Sequence, residues 1–219
     1  MKPRRLETHG RSAGMTLIEV LLGFVIMSML FGALGVVTVR GSSASRSSMS
    51  ASELDSEARR LLDAISAELI QAGRLGLAPE PLAPWGSSEL SYQRNIGFVA
   101  NNVVWGPTER IRFEYEPSEV DDGVDNNGNG LVDEGLIVWT RDPGLASERN
   151  RVLGRWVREY LEGEVPNGVD DNGNGLVDER GLSFEIQGDV LTIRLTLERA
   201  DAEGRLLTRT VQTSVNIRN

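Results

Sequence analysis

The stretch Gly14–Val39, GMTLIEVLLGFVIMSMLFGALGVVTV, decides how the rest of the chain is read. From Leu17 to Val39 it runs apolar for 23 residues, broken by a single acid, Glu19. At 1.5 Å per residue such a helix spans about 35 Å, enough to cross a bilayer. Glu19 is costly there. A carboxylate inside a membrane span costs about 2.5–3.5 kcal/mol on insertion scales, so it calls for a partner.

The residues before the span carry Lys2, Arg4, Arg5 and Arg11 against Glu7, a net charge of +3. By the positive-inside rule this leader stays cytoplasmic. A secretory signal places its small-residue cleavage site after the apolar run. Here Ala13 and Gly14 precede it. Gly14-Met15-Thr16-Leu17-Ile18-Glu19 resembles the leader junction of type IV prepilins and type II secretion pseudopilins. The resemblance implies that prepilin peptidase, a membrane enzyme, cuts after Gly14 and methylates the new amino terminus of Met15. It also implies that Glu19 pairs with the amino terminus of a neighbouring subunit during assembly.

Composition narrows the chemistry. The chain has 219 residues and a net charge of −9; without the +3 leader the remainder is −12. Such a product is a poor nucleic-acid binder and a better cation binder. There is no cysteine, and the single histidine and the single lysine, His9 and Lys2, both lie in the leader. The mature chain therefore lacks the commonest general base and two covalent nucleophiles. The expectation is a non-enzymatic protein. Gly10-Arg11-Ser12-Ala13-Gly14 matches a nucleophile-elbow pattern, but it follows no strand and has no histidine partner in the mature chain.

The expected organisation is a leader at 1–14, a membrane-spanning or filament-core helix at 15–41, a neck and amphipathic helix at 42–75, and a head at 76–219. Leu54, Ala58, Leu61, Leu62, Ile65, Leu69 and Ala72 recur at spacings of three and four, predicting a helix over Glu53–Ala72 with one buried stripe. Ser50–Glu53 fits a capping box and Gly73 a C-cap. Ser42–Ser52 reads as a flexible neck or as a weak part of one long helix. Strands are expected at Ile96–Trp105, Arg110–Glu116, Leu136–Thr140, Leu182–Ile186, Val190–Glu198 and Leu206–Ile217, with Arg151–Leu161 ambiguous. The last three form an antiparallel meander. The fold class is α+β, a long helix packed on an antiparallel sheet.

Leu62–Gly73 and the ending Thr213–Asn219 resemble PilW/PulJ-type minor pilins. That resemblance implies a subunit of a type IV pilus or of a type II secretion pseudopilus. Its partners would be other minor pilins or pseudopilins. It would sit in the inner membrane with its head in the periplasm, and then in the filament. The alternative is a membrane-anchored, calcium-binding adhesion module outside any filament.

The middle of the chain repeats itself. Gly123–Glu134 returns 45 residues later as Gly168–Glu179, and both read D-x-N-x-N-G-x-x-D-E. Asp125, Asn127 and Asn129, like Asp170, Asn172 and Asn174, place oxygens at loop positions 1, 3 and 5. Gly130 and Gly175 permit the turn at position 6, and the carbonyls of Leu131 and Leu176 supply position 7. Asp133, Glu134, Asp178 and Glu179 follow as further ligands. The pattern departs from an EF-hand, since position 12 is Leu136 or Gly181. It resembles the shortened calcium loops of thrombospondin-type repeats. An all-oxygen set points to calcium rather than zinc or copper. The two candidate loops are 121–134 and 166–179.

Overall fold

The computed structural model describes residues 15–100 and 102–217. The leader, with Gly14, lies outside the described residues. From Ser47 onward the chain forms one compact unit, and the described residues before it another.

Helix α1 runs unbroken over Leu17–Leu69. The serine-rich neck is thus helical, and the expected capping box at Ser50–Glu53 lies inside the helix. Ser56 Oγ donates to the Ser52 carbonyl at 2.8 Å, a bond back to the preceding turn. In the first unit, Met15–Ser42 is exposed throughout. This segment is long and apolar enough to cross a membrane, with a mean hydropathy of 2.5 over its best window.

In the second unit, Leu54, Ala58, Leu61, Leu62, Ile65, Leu69 and Ala72 are buried, as their spacing requires. They pack on a seven-stranded antiparallel sheet. Its strands are β1 (Glu89–Val99), β2 (Asn102–Tyr115), β3 (Gly135–Arg141), β4 (Arg149–Val157), β5 (Leu182–Gln187), β6 (Val190–Ala200) and β7 (Leu206–Asn216). The order is β1-β2-β3-β4-β6-β5, and β7 also pairs with β6. Leu191, Ile193, Leu195 and Leu197 alternate inward along β6, opposite Phe184 and Val211 in the same core. Fully burying each such side chain contributes about 1.5–3 kcal/mol. The protein is therefore α+β.

Three details differ from expectation. Ile96–Trp105 is not one strand: β1 ends at Val99 and β2 begins at Asn102, so the segment is the tip of a hairpin. Gly73 is no C-cap, because α1 ends at Leu69. A side chain at Gly73 would meet the Trp105 ring at 2.2 Å, so the glycine is needed for that close approach. Arg151–Leu161 resolves into β4 followed by a loop. Within β4, Gly154 lets α1 come close, since a Cβ there would lie 2.2 Å from Leu61.

One buried polar network ties α1 to the sheet. Glu109 is 1% exposed and accepts from Arg94 at 2.5 Å and from Trp139 at 3.3 Å. Arg94 also reaches Glu68 of α1 at 3.2 Å. The buried charge is thus paired and hydrogen-bonded, as burial demands.

Candidate functional site

The repeated segments connect strands at one level of the sheet. Loop one joins β2 to β3, and loop two lies between β4 and β5. Each is pinched shut by a backbone pair. In loop one, Glu116 N donates to Glu134 O at 3.1 Å and Glu119 N to Glu116 O at 2.8 Å. In loop two, Leu161 N donates to Glu179 O at 3.0 Å and Glu164 N to Leu161 O at 3.0 Å. The structural repeat therefore begins earlier than the sequence motif.

Inside each loop the first aspartate gathers backbone amides. Asp125 Oδ1 accepts from Gly128 N at 2.6 Å and Asn129 N at 3.2 Å, and Oδ2 from Gly130 N at 2.8 Å. These amides, Gly130 first, hold its carboxyl below the usual aspartate range. Asp170 makes the same bonds to Gly173, Asn174 and Gly175. The asparagine oxygens cap the next turns. Asn127 Oδ1 takes Asn129 N at 3.0 Å, and Asn129 Oδ1 takes Leu131 N at 2.8 Å. Their amide groups then converge on one oxygen, Glu134 Oε1, at 2.7 and 2.5 Å. Asn172 and Asn174 do the same to Glu179 Oε1. Leu131 and Leu176 are buried, plugging each loop into the head.

Asp133 and Asp178 face elsewhere. Asp133 accepts from Gly123 N at 2.8 Å and Asp122 N at 3.4 Å. Asp178 accepts from Asn167 N at 3.0 Å and Gly168 N at 2.9 Å. Both hold positive φ, 50° and 52°, an uncommon conformation for a residue other than glycine.

Two glutamates not singled out by the motif complete the picture. Glu119 Oε1 accepts from Asn127 N at 2.8 Å, and Glu164 Oε1 from Asn172 N at 2.8 Å. Both side chains are buried. Burial pushes the Glu164 carboxyl above its ordinary range; the Asn172 amide opposes this, and the charges of Glu179 and Asp170 add to it. The signal was present, because Glu119-Val120 and Glu164-Val165 obey the same 45-residue offset.

Glu134 Oε2, Glu164 Oε2 and Glu179 Oε2 are buried with no hydrogen-bond partner. A buried charged acceptor left unpaired costs more than the roughly 1–3 kcal/mol of a neutral one. Such orphaned carboxylate oxygens, in loops otherwise rich in oxygen-bearing side chains, suit a hard divalent cation.

A second acidic group lies between the loop necks. Carboxylate oxygens of Asp121, Asp133 and Glu159 fall within 4.8 Å of one another. Arg180 already provides a positive charge there. It donates to Glu159 at 2.5 Å and to Tyr115 Oη at 2.7 Å, and its Nη2 lies 3.6 Å from Asp121. Its guanidinium also covers the Tyr160 ring at 4.8 Å. Arg180 directly follows loop two in the chain, so it joins that loop to loop one.

Elsewhere, Ile96, Phe98 and Val99 at the β1–β2 tip are exposed, and Phe98 lines a surface hollow together with Ile70, just past the end of α1. Trp139 and Trp156 lie under Arg151 and Arg199 at 5.2 and 4.9 Å, which makes them packed surfaces rather than open platforms. Glu114 and Glu116 pair with Arg112 and Arg155. No family model, curated protein or solved structure matches this chain.

Proposed function

We propose that this chain is a membrane-anchored, pilin-like subunit that works by assembly, and that its head binds calcium. One observation carries the assembly reading. Met15–Ser42 is exposed along its whole length, and Glu19 stands among its apolar side chains. The Glu19 carboxylate accepts from Thr16 N at 2.8 Å and from Thr16 Oγ1 at 3.0 Å, bonds within its own turn. A surface this apolar needs lipid or other helices to cover it, and the acid needs a cation. A neighbouring subunit answers both demands: its helix covers the apolar side chains and its free amino terminus is the cation. On this reading prepilin peptidase cuts after Gly14 and methylates Met15. The helix then leaves the inner membrane for a type IV pilus or type II secretion pseudopilus, as a minor subunit with other minor pilins. The exposed β1–β2 tip is available to those partners. Calcium rests on the orphaned glutamate oxygens in the two loops.

The test is intact mass and N-terminal sequencing after co-expression with a prepilin peptidase. A mature chain beginning at N-methylated Met15 is expected. A retained leader would sink the pilin reading and favour a calcium-binding anchor outside any filament. As a second check, Glu19→Ala should insert in membranes normally yet be missing from the sheared filament fraction, with the melting temperature of the head unchanged.

A further inference from the structure

We propose that each loop holds its cation between two facing glutamates, Glu119 with Glu134 and Glu164 with Glu179, and that Asp133 and Asp178 only pin the loop. This rests on the calcium reading above and assigns the residues that carry it.

The argument begins with what each carboxylate already does. Asp133 and Asp178 spend their oxygens on backbone amides at the loop mouth. That work ties them to residues 122–123 and 167–168, ahead of the first aspartate, and to none of the motif asparagines. Glu134 and Glu179 have the opposite arrangement. One oxygen of each draws two asparagine amide groups, and the other has no partner although the residue is only 1% or 3% exposed. Two amide donors place partial positive charge where a cation would place two full charges.

Glu119 and Glu164 close the opposite side. Each stands six residues before the first aspartate and reaches over the turn to the amide of the position-3 asparagine. Glu164 is 2% exposed and its Oε2 is again orphaned; Glu119 Oε2 takes Asn126 N at 3.4 Å, so Glu119 is assigned by its equivalence to Glu164, 45 residues on. The same asparagine therefore touches both glutamates, one through its backbone and one through its side chain. Each loop therefore brings a pair of carboxylates to one asparagine. The arrangement occurs twice, on residues 45 apart, so it is not an accident of one loop. A pair of carboxylates offering hard oxygen ligands suits calcium.

The experiment uses the full chain in detergent micelles, titrated with calcium chloride by calorimetry. The wild type should bind two equivalents. Glu119→Gln and Glu164→Gln, made singly, should each remove one equivalent or weaken it at least tenfold, while the untouched loop retains its own. Asp133→Asn should keep both equivalents within about threefold in affinity and instead lower the melting temperature in chelator. Two unchanged equivalents in either glutamine variant would overturn the ligand assignment while leaving the calcium reading intact. Loss of both equivalents would also count against it, since it would make the glutamate structural. No binding to the wild type would end the calcium reading itself.

Discussion

Loop one and loop two are one device built twice, and their differences separate what the device requires from what it tolerates. Both keep the glutamate before the motif, the amide-gathering aspartate, the two asparagines, the buried leucine and the closing acid pair. They differ around this frame. Glu119 also takes Asn126 N at 3.4 Å, whereas Glu164 leaves its second oxygen alone. Asp121 of loop one reaches Arg180, whereas Pro166 stands at that position in loop two. At one outer pair the partners are exchanged. Asn126 Nδ2 donates to Asp122 Oδ1 at 3.0 Å in loop one; in loop two Asn167 Nδ2 donates to Asp171 Oδ2 at 2.8 Å. A donor and an acceptor are needed there, and which residue is which does not matter. At Glu119, Glu134, Glu164 and Glu179 the acid itself is retained.

If the frame exists to hold cations, removing them should have the largest effect. At free calcium one hundred times the dissociation constant, each occupied loop gains about 2.7 kcal/mol. For a unit of this size that is about 5–10 °C per loop. Chelation should therefore lower the melting temperature sharply, and hydrogen exchange should rise in both loops together. Exchange rising in only one loop would break the equivalence.

Next come the plugs. Leu131 is 2% exposed and Leu176 is fully buried, and each anchors its loop from below. Leu131→Ala and Leu176→Ala should each cost about 3 kcal/mol by burial lost and cavity left. Both are to be measured in chelator, so that cation binding does not mask the loss. A near-neutral Leu131→Ala would show that loop one is held by Asp121 and Arg180 rather than by its leucine.

How much of this was readable follows from the range of each interaction. The stripe from Leu54 to Ala72 and the alternation in β5, β6 and β7 are local periodicities, and they correspond to the observed faces. The hairpin tip at Val99–Asn102 carries no glycine or proline, and its one local signal, Asn101-Asn102, is a short polar break between two apolar runs, easily read as part of a single strand. The purpose of Gly73 depends on Trp105, 32 residues away, and no window contains both. In the loops, spacing marks which residues bear oxygen. It does not tell an oxygen that grips backbone, as in Asp133, from one left without a partner, as in Glu134. Glu119 and Glu164 were legible through the 45-residue offset, but lay outside the motif that draws the eye.

The smallest effect offers the sharpest test of the comparison. Asn126→Asp sets two carboxylates across loop one and removes the donor that served Asp122, at a cost of about 1 kcal/mol. Asp122→Asn alone leaves two amides there and costs about as much or less. The double variant gives loop one the pair that loop two already uses. Its Asx turn survives, because Asn167 Oδ1 accepts Val169 N at 2.8 Å just as Asp122 Oδ1 accepts Val124 N at 3.0 Å. The double-mutant cycle should therefore return a favourable coupling of about 1 kcal/mol, with the double variant close to wild type. Because the pair is exposed, salt should weaken the charge repulsion in Asn126→Asp and restore part of its stability. Additive losses would mean that the outer pairs of the two loops are not equivalent, and that the likeness of the loops ends at the inner oxygens.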